Sequence, residues 1–290
     1  MLIVQTFWSG GKSLLINNFG WLTPQHHLMS WTLSCLNLRQ NYKEVILYTD
    51  SVGYKIFHEY LKLPYKKIIV LYDDLKCHHA LWAYPKLLTY SIQRKPFIHI
   101  DGDVFLPNRL PQAIESGELV AQNAEIGTSY YKGMMSLIMN SPISMPDLWQ
   151  EELNKESISS YNAGIIGGND LGFIKKYCQV AFDFVKENRL NDINNKYTSV
   201  NHNILFEQIS FYCLALKYKK NISTVIDHPI KDNGYTYDEF CDFSAFEKSN
   251  LMHIIGGYKR NQRICELLDK ILFDKYPKYH ERIMRLFSST

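Results

Sequence analysis

The residues best suited to chemistry lie in the segment from Phe97 to Phe105, FIHIDGDVF. Two carboxylates, Asp101 and Asp103, flank Gly102 directly after a short strand-like run. Carboxylates held close together repel each other unless a cation lies between them. Hard oxygen ligands of this kind suit magnesium or manganese, shared with substrate phosphates. The same letters also make a strand-ending turn in which Asp and Gly serve geometry alone. A second segment, LMHIIGGYK from Leu251 to Lys259, reads H-x-x-G-x-x-K. His253 is a candidate neutral metal ligand. Gly256 and Gly257 would let loop backbone approach an anion, whose charge Lys259 would neutralise. Taken alone, that segment reads better as a core histidine beside an ordinary turn.

Such residues need elements to hold them. Apolar runs at 2–7, 45–48, 68–71 and 97–100 predict strands, and residues 27–38, 54–61 and 80–91 predict helices between them. This β-α-β alternation implies a mainly parallel sheet with helices on its faces, an α/β fold of Rossmann type. Ligands bind such sheets at the carboxyl ends of the strands, which singles out Thr6 to Trp8, Thr49-Asp50 and Asp101 to Asp103. The second half is less regular. Residues 161–168 predict a strand with tight turns, 171–187 and 202–216 helices, and 188–200 a polar loop. Residues 265–286 predict two basic-amphipathic helical segments broken near Pro277.

Composition narrows the classes. Of 290 residues 46% are hydrophobic and 21% charged, which excludes a disordered chain. The 32 Lys and Arg against 29 Asp and Glu give a net charge of +3, with no basic excess to argue for nucleic acid. Six cysteines form no CxxC pair and read as buried thiols. The amino terminus lacks a basic, apolar leader pattern, and no apolar run approaches the roughly 18 residues of a membrane span. The expectation is a cytoplasmic protein. SGGKS, Ser9 to Ser13, lacks the glycine a P-loop needs at Thr6 and reads as a glycine-rich turn. The adjacent pairs His26-His27 and His78-His79 point about 100° apart on a helix and are not chelating pairs.

The DxD after a strand, Asn162-Ala163-Gly164, and the late H-x-x-G-x-x-K occur in an order and spacing that resemble the GT-A glycosyltransferases. The likeness is to the retaining group with glycogenin and the bacterial lipopolysaccharide galactosyltransferases, and it covers roughly residues 1–260. It implies a GT-A fold over residues 1–262, with 263–290 a C-terminal helical extension of the same domain. It implies a hexosyltransferase-like enzyme that moves a sugar from a nucleotide-diphosphate sugar, a UDP-sugar, to an acceptor hydroxyl with retention. Asp101, Asp103 and His253 would hold Mn2+ or Mg2+. Thr6, Lys86, Asp101, Gly102, Ala163, Gly164, Gly256 and Lys259 would bind the donor. Asn162, Glu207 and Gln208 would lie beside the reacting carbon. The sequence departs from the group in three places. Arg260-Asn261 follows the late motif where Pro-Trp is usual. The usual Thr-Asp of the first strand is found as Thr49-Asp50 after the second. Glu207 stands where the group has aspartate.

Saccharide, lipid-linked glycan and peptide acceptors all remain open, and Trp8, Trp82 and Tyr130-Tyr131 are candidates to stack on sugars. The basic stretch 270–285 reads as a solvated helical face or, at most, a peripheral membrane contact. The rival functions are a GT-A-like binding protein without turnover and a sugar-nucleotide pyrophosphorylase.

Overall fold

Short apolar runs become strands, and the helices between them give a mixed α/β fold. The computed structural model describes residues 1–127, 129–140, 143–192 and 200–288. In chain order the strands are β1 (Leu2–Thr6), β2 (Val45–Thr49), β3 (Lys67–Val70), β4 (Phe97–Ile100), β5 (Val104–Phe105), β6 (Leu119–Ala121), β7 (Ala124–Ile126), β8 (Ser159–Tyr161), β9 (Ile165–Gly168), β10 (Ile222–Thr224), β11 (Ile230–Lys231) and β12 (Met252–His253). The chain divides into two units. The first comprises Met1–Asp73, Ile100–Leu110 and Tyr235–Thr290; the second comprises Asp74–His99 and Pro111–Gly234.

In the first unit β1, β2 and β3 are parallel, with Ile3 opposite Val45 and Ile46 opposite Lys67. β5 and β12 form an antiparallel ribbon with Val104 opposite His253. The helix Pro24–Asn41 is buried from His27 to Leu38. A helix covered on all sides needs no apolar stripe, and the C-terminal helices Gln262–Lys275 and Pro277–Ser288 both pack on it. Thr23 caps its start by accepting the His26 N–H, and Pro24 occupies the first turn, where a missing N–H costs nothing. The helix expected at 54–61 is a helical turn, Ser51–Tyr54, continuing as a π-helix, Lys55–Tyr60.

In the second unit β10, β6, β9 and β4 are neighbours in that order, with β10 parallel and β9 antiparallel to β6. β11, β7 and β8 form a separate sheet. The strand expected at 161–168 is therefore two strands, β8 and β9, in different sheets, with Asn162 to Gly164 as the turn between them. The helix expected at 80–91 starts at Tyr84, so that Pro85 falls in its first turn rather than breaking it. Leu171–Glu187 is helical as expected, and Asp170 caps it through the Phe173 N–H. Residues 202–216 contain a π-helix, Ile204–Ile209, and then an α-helix, Ser210–Lys217. Of the loop expected at 188–200, residues 193–199 lie outside the described residues.

All six cysteines are buried free thiols, and burial pushes Cys77 and Cys213 up to about 12. Among the described residues no helix is long and apolar enough to cross a membrane.

Candidate functional site

The first unit assembles one cluster. Its base is the Asp101 to Asp103 turn, closed by the Val104 N–H on the Asp101 carbonyl at 3.1 Å. Ser30 Oγ donates to the Gly102 carbonyl at 2.7 Å, and Ser34 Oγ to that of Val104 at 2.8 Å. Gly102 is required by packing: a Cβ there would sit 2.3 Å from Cε2 of Trp31. The β5–β12 ribbon brings His253 alongside, with Nε2 3.6 Å from Asp103 Oδ1. Lys259, on the turn Gly256–Arg260, places Nζ 2.5 Å from Asp103 Oδ2. Gly256 gives that turn its φ of +53°, with open space where a Cβ would point. The Lys259 carbonyl accepts the Leu22 N–H at 2.9 Å, which anchors the turn. Burial raises the Asp103 pKa, but Lys259 and His253 outweigh it and hold the carboxyl well below the usual range. Nearby, Trp31 Nε1 donates to His27 Nε2 at 3.0 Å, and burial lowers the His27 pKa to about 3.

Among the described residues no group of three His, Cys, Asp or Glu side chains is placed to hold a metal ion. Of the three expected ligands the structure brings Asp103 and His253 together, and a lysine ammonium stands in as the cation on Asp103. A carboxylate oxygen and an imidazole nitrogen fit magnesium or manganese in their chemistry. Thr6 ends β1 half-buried. The departure at Thr49-Asp50 has a structural reason. Both Asp50 carboxylate oxygens accept backbone N–H groups, from Ser9 at 2.7 Å and Gly53 at 2.8 Å, so this aspartate ties two turns together.

The second unit assembles another cluster. Lys86 is buried, with Nζ 2.7 Å from Glu207 Oε1 and 3.5 Å from the Ala163 carbonyl. It also lies 5.3 Å from the ring centre of Trp82. A lysine on a helix face usually points to water, and only the tertiary fold makes this one a buried counter-ion. The adjacent His99 is held well below its ordinary pKa by burial and by Lys86. Asn162 Oδ1 accepts the Gly164 N–H at 2.9 Å, which shapes the Asn-Ala-Gly turn. Glu207 and Gln208 lie in the π-helix, whose extra residue per turn often marks a functional position. Tyr177 OH takes the Glu207 carbonyl at 2.9 Å.

Sequence reasoning missed Glu125 and misplaced Tyr131. Tyr131 is not an exposed stacking ring; it is buried, with its hydroxyl on Glu125 and 2.6 Å from Gln208 Oε1. Tyr130 and Trp82 are exposed, and Trp8 is half-buried. No local pattern marks Glu125: it lies in the three-residue strand Ala124–Ile126, and the fold alone buries it.

A family profile, described as a family of unknown function, DUF6734, matches residues 1–286. The chain belongs to DUF6734. No curated protein matches it in sequence. Among solved structures, the apo structure of the bifunctional glycosyltransferase WbbM aligns with 98% of this DUF6734 chain and 51% of its own. The identity is 12% and the TM-score 0.50. The glycosyltransferase GlyE of Streptococcus pneumoniae TIGR4 aligns with 99% of this chain and 64% of its own, at 11% identity and a TM-score of 0.45. The chain thus spans between about half and two thirds of the length of these structures. At such identity the WbbM likeness is one of fold: this DUF6734 member has a glycosyltransferase-like α/β fold.

Proposed function

We propose that this chain is a glycosyltransferase that takes a sugar from a nucleotide-diphosphate donor, a UDP-sugar, and passes it to an acceptor hydroxyl with retention. The observation that carries the reading is the meeting of two distant motifs at one carboxylate, with Lys259 and His253 both on Asp103. Breaking the sugar–phosphate bond leaves negative charge on the diphosphate and positive charge on the ring. Lys259, on an open glycine turn, is suited to move from Asp103 to a diphosphate oxygen, adding positive potential where charge develops. Asp103 and His253 would hold a divalent manganese or magnesium ion, with Asp101 as the proposed third ligand, and the ion would supply Lewis-acid stabilisation of the leaving group. In the second unit Asn162, Ala163 and Gly164 would line the sugar pocket. Lys86 would hold Glu207 ionised, and Gln208 would steady the ring. Retention and the UDP base rest on the resemblance of the motifs.

Binding without turnover is a second reading, favoured by one contact: the Lys259 ammonium already neutralises Asp103. One assay separates the two. The protein is incubated with UDP-, GDP- and ADP-sugars and manganese, and nucleotide release is measured with and without chelator and for Asp103→Ala. Release from one donor, lost with Asp103→Ala, supports the transferase. No release from any donor overturns it.

A further inference from the structure

The second unit buries a polar network that no motif announces. Glu125 on β7 is 5% exposed. Its Oε1 accepts from Asn162 Nδ2 at 3.2 Å and its Oε2 from Ser160 Oγ at 3.0 Å. The Tyr131 hydroxyl also reaches Oε2. The same hydroxyl lies 2.8 Å from Ser160 Oγ and 2.6 Å from Gln208 Oε1. The network therefore ties the Asn-Ala-Gly turn to the π-helical Glu207-Gln208 pair. A phenol carries one proton, so Tyr131 donates to Glu125 or to Gln208 and not to both. A carboxylate is the stronger acceptor. The Tyr131 hydroxyl is thus shared between two acceptors, Glu125 Oε2 and Gln208 Oε1, and holds both side chains against it.

We propose that Glu125 is a positioning residue: it fixes the Asn162 carboxamide directly and the Gln208 carboxamide through Tyr131. This rests on the glycosyltransferase reading, in which those two side chains serve the transferred sugar. Glu125 touches neither donor nor acceptor in this scheme. Its effect is to hold two amides in one orientation before the donor arrives, so its loss should slow the chemical step and leave donor affinity intact. Small misplacements of groups around a reacting carbon can cost on the order of 10²-fold in rate.

The test uses whichever donor the wild-type chain hydrolyses. Glu125→Gln should lower kcat about tenfold or more with donor KM within about twofold, and Glu125→Asp should recover part of the loss. Tyr131→Phe should lower kcat less, because only the Gln208 arm is lost. The double variant Glu125→Gln/Tyr131→Phe should be no slower than Glu125→Gln, since both act through one network. Wild-type kcat in Glu125→Gln overturns the proposal. So does a change confined to KM, or a loss that merely follows the folded fraction. If Glu125→Gln does not fold, Tyr131→Phe decides, and wild-type kcat there is again fatal. A wild-type protein that hydrolyses no donor removes the glycosyltransferase reading and this proposal with it. An active wild type with an indifferent Glu125 removes this proposal alone.

Discussion

Lys86–Glu207 in the second unit and Lys259–Asp103 in the first are both lysine–carboxylate ion pairs, in two different settings. The side chains of the former are 6% and 1% exposed, those of the latter 23% and 15%. Lys86 is locked by the Ala163 carbonyl and the Trp82 face, on a helix inside its unit. Lys259 stands on a glycine turn that has empty space beside it. A sealed pair must be satisfied for the unit to fold, whereas a pair at an open turn can exchange its partner for a ligand. The second cluster thus has the character of a fixed template and the first that of an exchangeable charge.

The largest stability effect should come from breaking the sealed pair. Lys86→Met leaves the buried Glu207 without its cation and should cost about 3–5 kcal/mol in urea unfolding. Lys86→Met/Glu207→Leu should cost clearly less, because no charge is then stranded. A single variant that unfolds within 1 kcal/mol of wild type would break the comparison on this side.

Gly102→Ala should come next. The added methyl would meet the Trp31 indole, and overpacking of this kind costs about 1–3 kcal/mol. The expected readout is a lower melting temperature together with loss of nucleotide release, since the turn carrying Asp103 must shift.

Acid should act on both units. Burial lowers His27 to about 3 in the first and His202 to about 4 in the second. Both folded pKa values lie below the unfolded value near 6.5, so the unfolded chain takes up protons first. Their stabilising contribution is full above about pH 6.5 and is lost as pH falls toward 4 and 3. By pH 5 each should have lost about 1–2 kcal/mol. Melting curves from pH 7.5 to 5 check this, and His27→Phe should flatten part of the slope.

Lys259→Ala should cost less in folding than Lys86→Met, because this pair is less deeply buried and His253 stays beside Asp103. Its effect on nucleotide release should be large, about 10²-fold. A Lys259→Ala protein as unstable as Lys86→Met would erase the difference between the clusters.

Much of the architecture was legible because its cause is local. The runs at 45–48 and 97–100 are apolar enough to be strands anywhere in a sheet, and 171–187 shows helical spacing along its whole length. Errors arose where a tertiary partner overruled the local pattern. Residues 161–168 read as one strand, yet Asn162 hydrogen-bonds back to Gly164 and passes the chain from one sheet to another. Tyr131 beside Tyr130 looked like an exposed ring, but its hydroxyl is taken into the Glu125 network.

By itself, the sequence determined the α/β alternation, the carboxylates after β4 and the late histidine–lysine turn. Each is a pattern within about ten residues, and backbone sterics and side-chain spacing act over that range. Tertiary structure alone decided that Lys86 is buried against Glu207, that Lys259 rests on Asp103, and that Glu125 joins Asn162 to Tyr131. These contacts join residues far apart in the chain. Their energy comes from burial and charge pairing, which depend on which surfaces meet and leave no periodic trace in the letters.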